Sequence, residues 1–382
     1  MKLALYIIIG LVFFLPIYTY FLYPLILKIL NIFIHKRYRR DDSFQPSVSI
    51  LIAAYNEEKV IAEKIRNLCI SDYPENKIEF LIGSDGSSDR TVQIANKFSQ
   101  IKNLKVFDLP RGGKVNVLNF LLKRATSEIL VFSDANTMFD PQAIKKLVRN
   151  FADQRIGCVS GQVRLNLNAD SGQGAKSESA YWKYENLIKT LESKTGRLSG
   201  ANGAIYAIRN GLMNQIRKGI INDDFYVSTL VLQLGFDVIL DKDAIAYEEP
   251  NDDFKSQFKR HVRDGSGHYQ AIGVFWKMLF PRKGCFVYVS HRVIKWIVPF
   301  AMIIAFFTNG ILAINNIYFT ILAGIQMFSY LFLLFYHFYS RKGQSIKGIN
   351  LVYYFVSVNL ALFVGFTRFL FKKQQATWET QR

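Results

Sequence analysis

The sequence predicts an α/β fold: a mainly parallel sheet flanked by helices, carrying about four transmembrane α-helices, one N-terminal and three C-terminal. Two patterns predict it. Between residues 48 and 141, short apolar runs alternate with segments of helical periodicity, the signature of a parallel sheet covered on both faces. At both ends of the chain lie long stretches without charge: residues 3–27, 296–340 and 348–367. A third observation concerns placement, because the polar motifs AAYNEE, SDGSSD and SDAN follow the apolar runs directly. Ligands of open α/β sheets bind beyond the carboxyl ends of the strands.

Each membrane segment has its own argument. A bilayer span needs ~20 apolar residues. Residues 3–27 exceed the ~7–15-residue apolar core of a signal peptide, and Pro16, Tyr18, Tyr20 and Tyr23 replace a small-residue cleavage site. An uncleaved anchor is expected. The basic run HKRYRR at 35–40 then places residues 35–280 in the cytoplasm. Residues 296–340 are long enough for two spans joined at Asn315 and Asn316, and residues 348–367 make another. SRKGQSIK at 340–347 returns to the cytoplasmic side. Lys372 and Lys373 pull the tail toward that side too, which an interfacial segment near 280–295 would accommodate. The expected organisation is a transmembrane helix in 1–34, a cytosolic domain in 35–280, and an interfacial segment with membrane helices in 281–382. The protein is expected in the cell membrane, multi-pass, with its catalytic domain cytoplasmic.

Within the middle segment, VSILIAA (48–54) is a strand after Pro46, and Glu57–Ile70 has helical spacing at Val60, Ile61, Ile65, Leu68 and Cys69. KIEFLIGS (77–84), LKVFDL (104–109) and EILVFS (128–133) are further strands. Asp89–Phe98 and Gly113–Ala125 are helices, the latter burying Val117, Leu118, Leu121 and Leu122. Pro141 opens the next helix at a permitted first-turn position.

The net charge of +18 clusters near the membrane ends and in 255–263. Anionic head groups and a diphosphate explain it as well as nucleic acid does, and no zinc finger, RNA-binding sheet signature or basic repeat is present. No nucleic-acid partner is expected. Cys69, Cys158 and Cys285 stand apart, neither a zinc cluster nor a redox pair.

Several motifs carry chemistry, each beside a plainer role. In AAYNEE, Tyr55 can stack on a base and Glu57 accept from ribose or base donors, while Asn56 can cap a helix. Asp85 in SDGSSD sits where a strand ends, with Ser88 and Asp89 as helix caps. RGGK (111–114) offers backbone amides and Lys114 to a diphosphate, or is an ordinary glycine turn. Asp134 and Asn136 supply oxygen ligands for magnesium or manganese, or form an Asx turn. Asp223 and Asp224 are favoured in a helix first turn. As adjacent carboxylates they also raise one pKa, making Asp224 the better general base. Arg260 and Arg263 can neutralise a leaving diphosphate or lie in a basic membrane-surface helix, and His261 and His268 suit scaffold roles.

Taken in order from Ser47 to Gln270, these motifs resemble the membrane-bound family 2 glycosyltransferases, the group of hyaluronan, cellulose and poly-N-acetylglucosamine synthases. The resemblance implies a GT-A nucleotide-binding fold. It implies that Ala53, Tyr55, Glu57 and Asp85 contact uridine and that Lys114 lies near the diphosphate. Asp134 and Asn136 stand in the place of a metal-binding Asp-x-Asp, implying Mg2+ or Mn2+. Asn222-Asp223-Asp224 stands for Thr-Glu-Asp, with Asp224 similar to the catalytic base. Gln257, Arg260 and His261 occupy the Gln-x-x-Arg-Trp motif, with His261 in place of Trp. SGANG (199–203), including Gly200 and Asn202, resembles the loop lining the acceptor. The implied activity is metal-dependent inverting transfer from a UDP-sugar to a saccharide or lipid-linked acceptor, in cell-surface polysaccharide synthesis. Processive and single transfer both stay open, the latter to a polyprenyl phosphate, as does a homo-oligomer or an export partner. The non-enzymatic alternative is a membrane scaffold with an inert nucleotide-sugar domain.

Overall fold

The computed structural model describes residues 2–166, 173–250, 254–340, 346 and 348–374. The chain opens with α1 (Lys2–Phe33), interrupted by a π-helical turn at Tyr18–Leu22. It continues through β1 (Val48–Ala54), α2 (Ile61–Cys69), β2 (Ile78–Asp85), α3 (Thr91–Asn96), β3 (Leu104–Leu109) and α4 (Lys114–Leu122). Then come β4 (Ile129–Asp134), β5 (Met138–Phe139), α5 (Ala143–Val148), β6 (Ile156–Leu165) and α6 (Gln173–Ser193). β7 (Tyr206–Arg209), α7 (Asp223–Gln233), β8 (Asp237–Glu248) and α8 (Phe254–Val274) complete the domain. The chain ends in α9 (Cys285–Ala313), α10 (Ile317–Ser340) and α11 (Ile349–Leu370).

The eight strands form one sheet in the order β3-β2-β1-β4-β7-β6-β8-β5. It is parallel from β3 to β4, as the alternating pattern predicts. Beyond β4 the sheet is mixed: β7 runs antiparallel to β4 and β6, β8 parallel to β6, and β5 antiparallel to β8. Every residue of β1 is buried, because helices cover both faces. Ile50 and Ile52 join Ile61, Ile65 and Leu68 of α2 in one core. Leu51 and Ala53 point the other way, onto Val117, Leu118 and Leu121 of α4.

Two helix starts differ from expectation. Asn56 takes a positive φ of 52° and hands its side chain to the neighbouring loop, so α2 begins at Ile61 rather than near Glu57. Pro141 lies in a turn in which Asp140 accepts from the Gln142 N–H, and α5 begins two residues after the proline, at Ala143.

Among the described residues, four helices are long and apolar enough to cross a membrane: Lys2–Phe33, Cys285–Ala313, Ile317–Tyr339 and Ile349–Leu370. Between α9 and α10, residues 314–316 make the tight turn expected at Asn315 and Asn316. Residues 285–293 run directly into the next span through a π-helical turn at Tyr288–Val293. Helix α8 packs along α11. Their approach is so close that a Cβ on Gly365 would lie 2.7 Å from the Val262 carbonyl oxygen. Small residues permit such backbone contact.

Buried ion pairs fasten the domain to the spans. Glu192 of α6 is fully buried and accepts from Tyr23 Oη (2.7 Å) on α1 and the Ser199 amide (3.0 Å), and it pairs with His291 Nδ1 (2.7 Å) on α9. Glu185, two helical turns earlier, binds Lys295 and Arg292 of α9. Burial alone would raise the Glu185 pKa, but Lys295 and His291 outweigh it and hold the carboxyl well below its ordinary range. Buried charges persist only when paired in this way.

Candidate active site

The donor side is assembled from loops that leave β1, β2 and β4. The first two loops are stitched together. The Asn56 amide donates to Ser87 Oγ (3.1 Å), the Glu57 amide to Thr91 Oγ1 (2.8 Å) and the Glu58 amide to Asp89 Oδ2 (3.1 Å). Asp89 also accepts from the Thr91 amide (2.9 Å), as a helix-start residue does. Ala53, buried, is the penultimate residue of β1 and pairs in register with Gly83 and Asp134.

Asp85, with no exposed surface, ends β2 and organises the glycine turn opposite. Its carboxylate accepts from Gly112 N (2.7 Å), Gly113 N (2.8 Å) and Arg111 Nη1 (2.5 Å). Arg111 lies over the Tyr55 ring, 3.3 Å from its centroid. This Tyr55–Arg111–Asp85 unit is a flat, π-faced ledge at the sheet edge of the site. Gly86 makes the turn possible: its φ is +64°, and a Cβ there would stand 2.8 Å from the Arg111 nitrogen.

Lys114, the first residue of α4, reaches across to the centre. Its Nζ lies 2.8 Å from Asp134 Oδ1 and 3.3 Å from Asp223 Oδ1. Burial opposes its charge, but Asp134 and Asp223 outweigh burial, so the ammonium is held above its ordinary range. Behind Asp134, fully buried Lys64 donates to Ser133 Oγ (2.8 Å) and the Thr137 carbonyl (2.5 Å). Asn136 donates to Glu248 Oε1 at the end of β8 (3.2 Å).

The acceptor side is built from helices. Asp223 and Asp224 form the first turn of α7, as read from the sequence. Burial first, and Asp223 second, push the Asp224 carboxyl up to about 6. Lys189 of α6, lowered to about 8 by burial and Arg292, stands near it. Asn202 is 2% exposed: its Nδ2 donates to the Gly161 carbonyl (2.5 Å) and its Oδ1 accepts from Lys189. Gly200 packs beside Phe225 and Arg292. On α8, Gln257 Nε2 (3.1 Å) and Arg260 both bind Glu178 of α6. His261 bonds Tyr354 Oη of α11 (3.2 Å), and burial with Arg260 lowers it to about 4, so it is neutral near pH 7. His268 stacks on Trp296 with centroids 4.7 Å apart.

Both sides line one cavity of about 330 Å³. Lys114 and Asp134 line it beside Asp223 and Asp224 on its floor, and Arg260, His261 and Gly200 complete the wall. Ala53, Tyr55, Glu57, Asp85, Asn136 and Gln257 are outside this lining: Tyr55 and Asp85 belong to the ledge, and Gln257 lines a neighbouring cavity. Glu178, Glu248, Trp182 and Lys189 also line it. Sequence reading missed these four, and no local signal marks them, because each is a single residue on a helix or strand whose site contact is made only by folding. Trp182 and Trp296 bring indole rings to the wall whose motif carries His261 instead of Trp.

The site combines carboxylates at strand and helix ends, a lysine between them and a flat aromatic ledge, on an open α/β sheet. Residues 49–209 match the family described as Glycosyl transferase family 2. The chain is 26% identical over 242 residues to a poly-beta-1,6-N-acetyl-D-glucosamine synthase of Staphylococcus epidermidis, covering 62% of this chain and 58% of that protein. It is 30% identical over 205 residues to a beta-monoglucosyldiacylglycerol synthase of Trichormus variabilis, covering 52% of this chain and 42% of that one. The chain thus spans about half the length of these relatives. In fold it matches a mannosyltransferase from Pyrobaculum calidifontis, solved in complex with GDP-Man and Mn2+, at a TM-score of 0.73 and 18% identity. That match covers 96% of this chain and 99% of that one.

Proposed function

We propose that the protein is a membrane-embedded, inverting hexosyltransferase that moves a sugar from a UDP-sugar to a saccharide or lipid-linked acceptor, with its catalytic domain in the cytoplasm. The relatives above, which make a polysaccharide and a glycolipid, support the reaction class and cell-surface polysaccharide synthesis as its setting. The observation that carries the reading is the single cavity shared by Asp134, Lys114 and Asp224.

Magnesium or manganese fits the donor set. Among the described residues, no group of three or more His, Cys, Asp or Glu could hold a metal alone. Such an ion keeps waters and substrate phosphates as its remaining ligands, so the Asp134 carboxylate and the Asn136 carbonyl suffice. When bound with the donor it would neutralise diphosphate charge. The protein supplies the rest. The Tyr55 ledge takes the base, with Ala53, Glu57 and Asp85 beside it. Asp224 accepts the proton of the acceptor hydroxyl as its oxygen attacks the anomeric carbon. Lys114 and Arg260 stabilise the departing nucleoside diphosphate. Gly200 and Asn202 shape the acceptor wall, Gln257 holds Glu178, and Asp223 keeps the Asp224 pKa high.

The test is a panel of radiolabelled UDP- and GDP-sugars offered to membranes containing the protein, followed by sizing of the product. One UDP-sugar should label a product. Labelling with none, alongside unreacted donors, would refute the reading.

A further inference from the structure

A second cavity, about 880 Å³ in volume, lies between α8, α10 and α11. Its wall comes from the start of α8, the end of α10 (Leu333, Leu334, His337) and the start of α11 (Tyr353, Ser357, Leu360). Helices α10 and α11 touch sparingly, whereas α11 packs tightly along α8. The gap left between α10 and α11 is this cavity. Leu334 and Leu360 are more than half exposed, so it opens sideways on the surface that faces hydrocarbon in a membrane. All three contributing ends adjoin the catalytic domain, which sets the cavity in the leaflet on that side. A smaller apolar cleft of about 360 Å³, between α9, α10 and α11, continues it through the shared residues Tyr330, Val356 and Leu360.

His261 and Tyr354 belong to the walls of both the lateral cavity and the catalytic cavity. They hydrogen-bond to each other across 3.2 Å, making a polar partition between a space open to lipid and the space that holds Asp224. Lys255, Gln257 and His337 also line the cavity, among Phe258, Val356 and Leu360. A polar pair at the inner end of a largely apolar pocket orients a ligand with a long tail and a small polar head.

Resting on the transferase reading above, we propose that this lateral cavity holds the acceptor, a membrane lipid with a neutral hydroxyl head group. Its chains lie between α10 and α11 and its head passes the His261–Tyr354 partition. The chemistry of the floor selects a hydroxyl over a phosphate head. A phosphate is already an anion at neutral pH, whereas a hydroxyl must lose a proton, and Asp224 stands ready to take it. In the transfer, the hydroxyl proton goes to the Asp224 carboxylate and the oxygen bonds to the anomeric carbon. The anomeric carbon–oxygen bond to the donor breaks, and its electron pair leaves on the nucleoside diphosphate.

The experiment uses the full chain in phosphatidylcholine vesicles with radiolabelled UDP-sugar, with dioleoylglycerol or a polyprenyl phosphate as probe lipid. Label should move to dioleoylglycerol. Ser357→Trp, which fills the cavity, should raise the KM for that lipid about tenfold or more, the loss of roughly 1.4 kcal/mol of binding. The donor KM should stay near its original value. Leu331→Trp, on the exposed outer face of α10, is the control that keeps full transfer. Should Ser357→Trp fail to fold, Leu360→Trp at the lipid-exposed mouth serves in its place. An unchanged lipid KM in the filled variant would overturn the proposal. So would label passing only to polyprenyl phosphate, or only to a water-soluble saccharide. Donor turnover without any lipid product sinks this inference and leaves the transferase reading standing; no donor turnover at all sinks both.

Discussion

The donor and acceptor halves of the site are built by opposite means. The donor half is local in sequence: each contributing loop directly follows a parallel strand, and the loops are bonded to one another through backbone amides. The acceptor half is assembled from α6, α7, α8 and α11, which meet through side-chain contacts such as Glu178–Arg260 and His261–Tyr354. The first half is therefore rigid by backbone geometry. The second depends on how the domain sits on the membrane helices, where Glu185 and Glu192 hold it. Damage to the donor half should appear as lost donor affinity, and damage to the acceptor half as lost turnover.

The largest effect should come from Asp224→Asn. Loss of a general base costs ~10²–10⁴ in rate, so kcat should fall by that much. The donor Kd, read by calorimetry, should stay unchanged. Next is Arg260→Ala, which removes the cation proposed to stabilise the leaving group and should lower kcat by ~10²–10³; steady-state transfer assays check it. On the donor side, Tyr55→Ala removes a stacking surface worth ~1–3 kcal/mol per base. It should raise the donor KM correspondingly while kcat moves little, and a rise in neither would place the base elsewhere.

The smallest expected effect is the most diagnostic. Asp224 is raised to about 6 by burial and by the neighbouring Asp223 charge. Only its deprotonated form accepts a proton, so activity is full above about pH 6 and falls as pH drops through that value. Asp223→Asn removes a like charge, lowers the Asp224 pKa and moves this acid limb to lower pH. A pH–rate profile of the two proteins, normalised to each maximum, reads the shift.

What was legible in the sequence follows the same division. The strands VSILIAA and EILVFS lie where their apolar runs stand, because burial on both faces leaves little polarity to blur them, whereas LKVFDL, at the sheet edge, keeps Lys105 and Asp108 exposed among its apolar residues. The end-of-strand residues Asp85 and Asp134 follow from strand position alone, and Asp223 and Asp224 from a helix start. The antiparallel insertion of β7 was not legible, since a four-residue strand gives too short a pattern to assign direction. Glu178, Trp182 and Lys189 were not legible either. On α6, Glu178 and Lys189 have the polarity of an exposed helix face, and contacts with the rest of the fold bury them, while Trp182 is half-buried beside them. Arg111 was visible as one cation of a glycine turn, but its place on the Tyr55 ring depends on Asp85 drawing two loops together.

The central claim is that Asp134 and Asp224 face a single sugar from opposite ends, one toward the diphosphate and the other toward the attacking hydroxyl. The anomeric configuration of the product, read by proton NMR after transfer from an α-linked UDP-sugar, tests it most directly. Direct displacement across that cavity gives a β-linked product. An α-linked product would require the two groups to act on the same face, and would contradict the account.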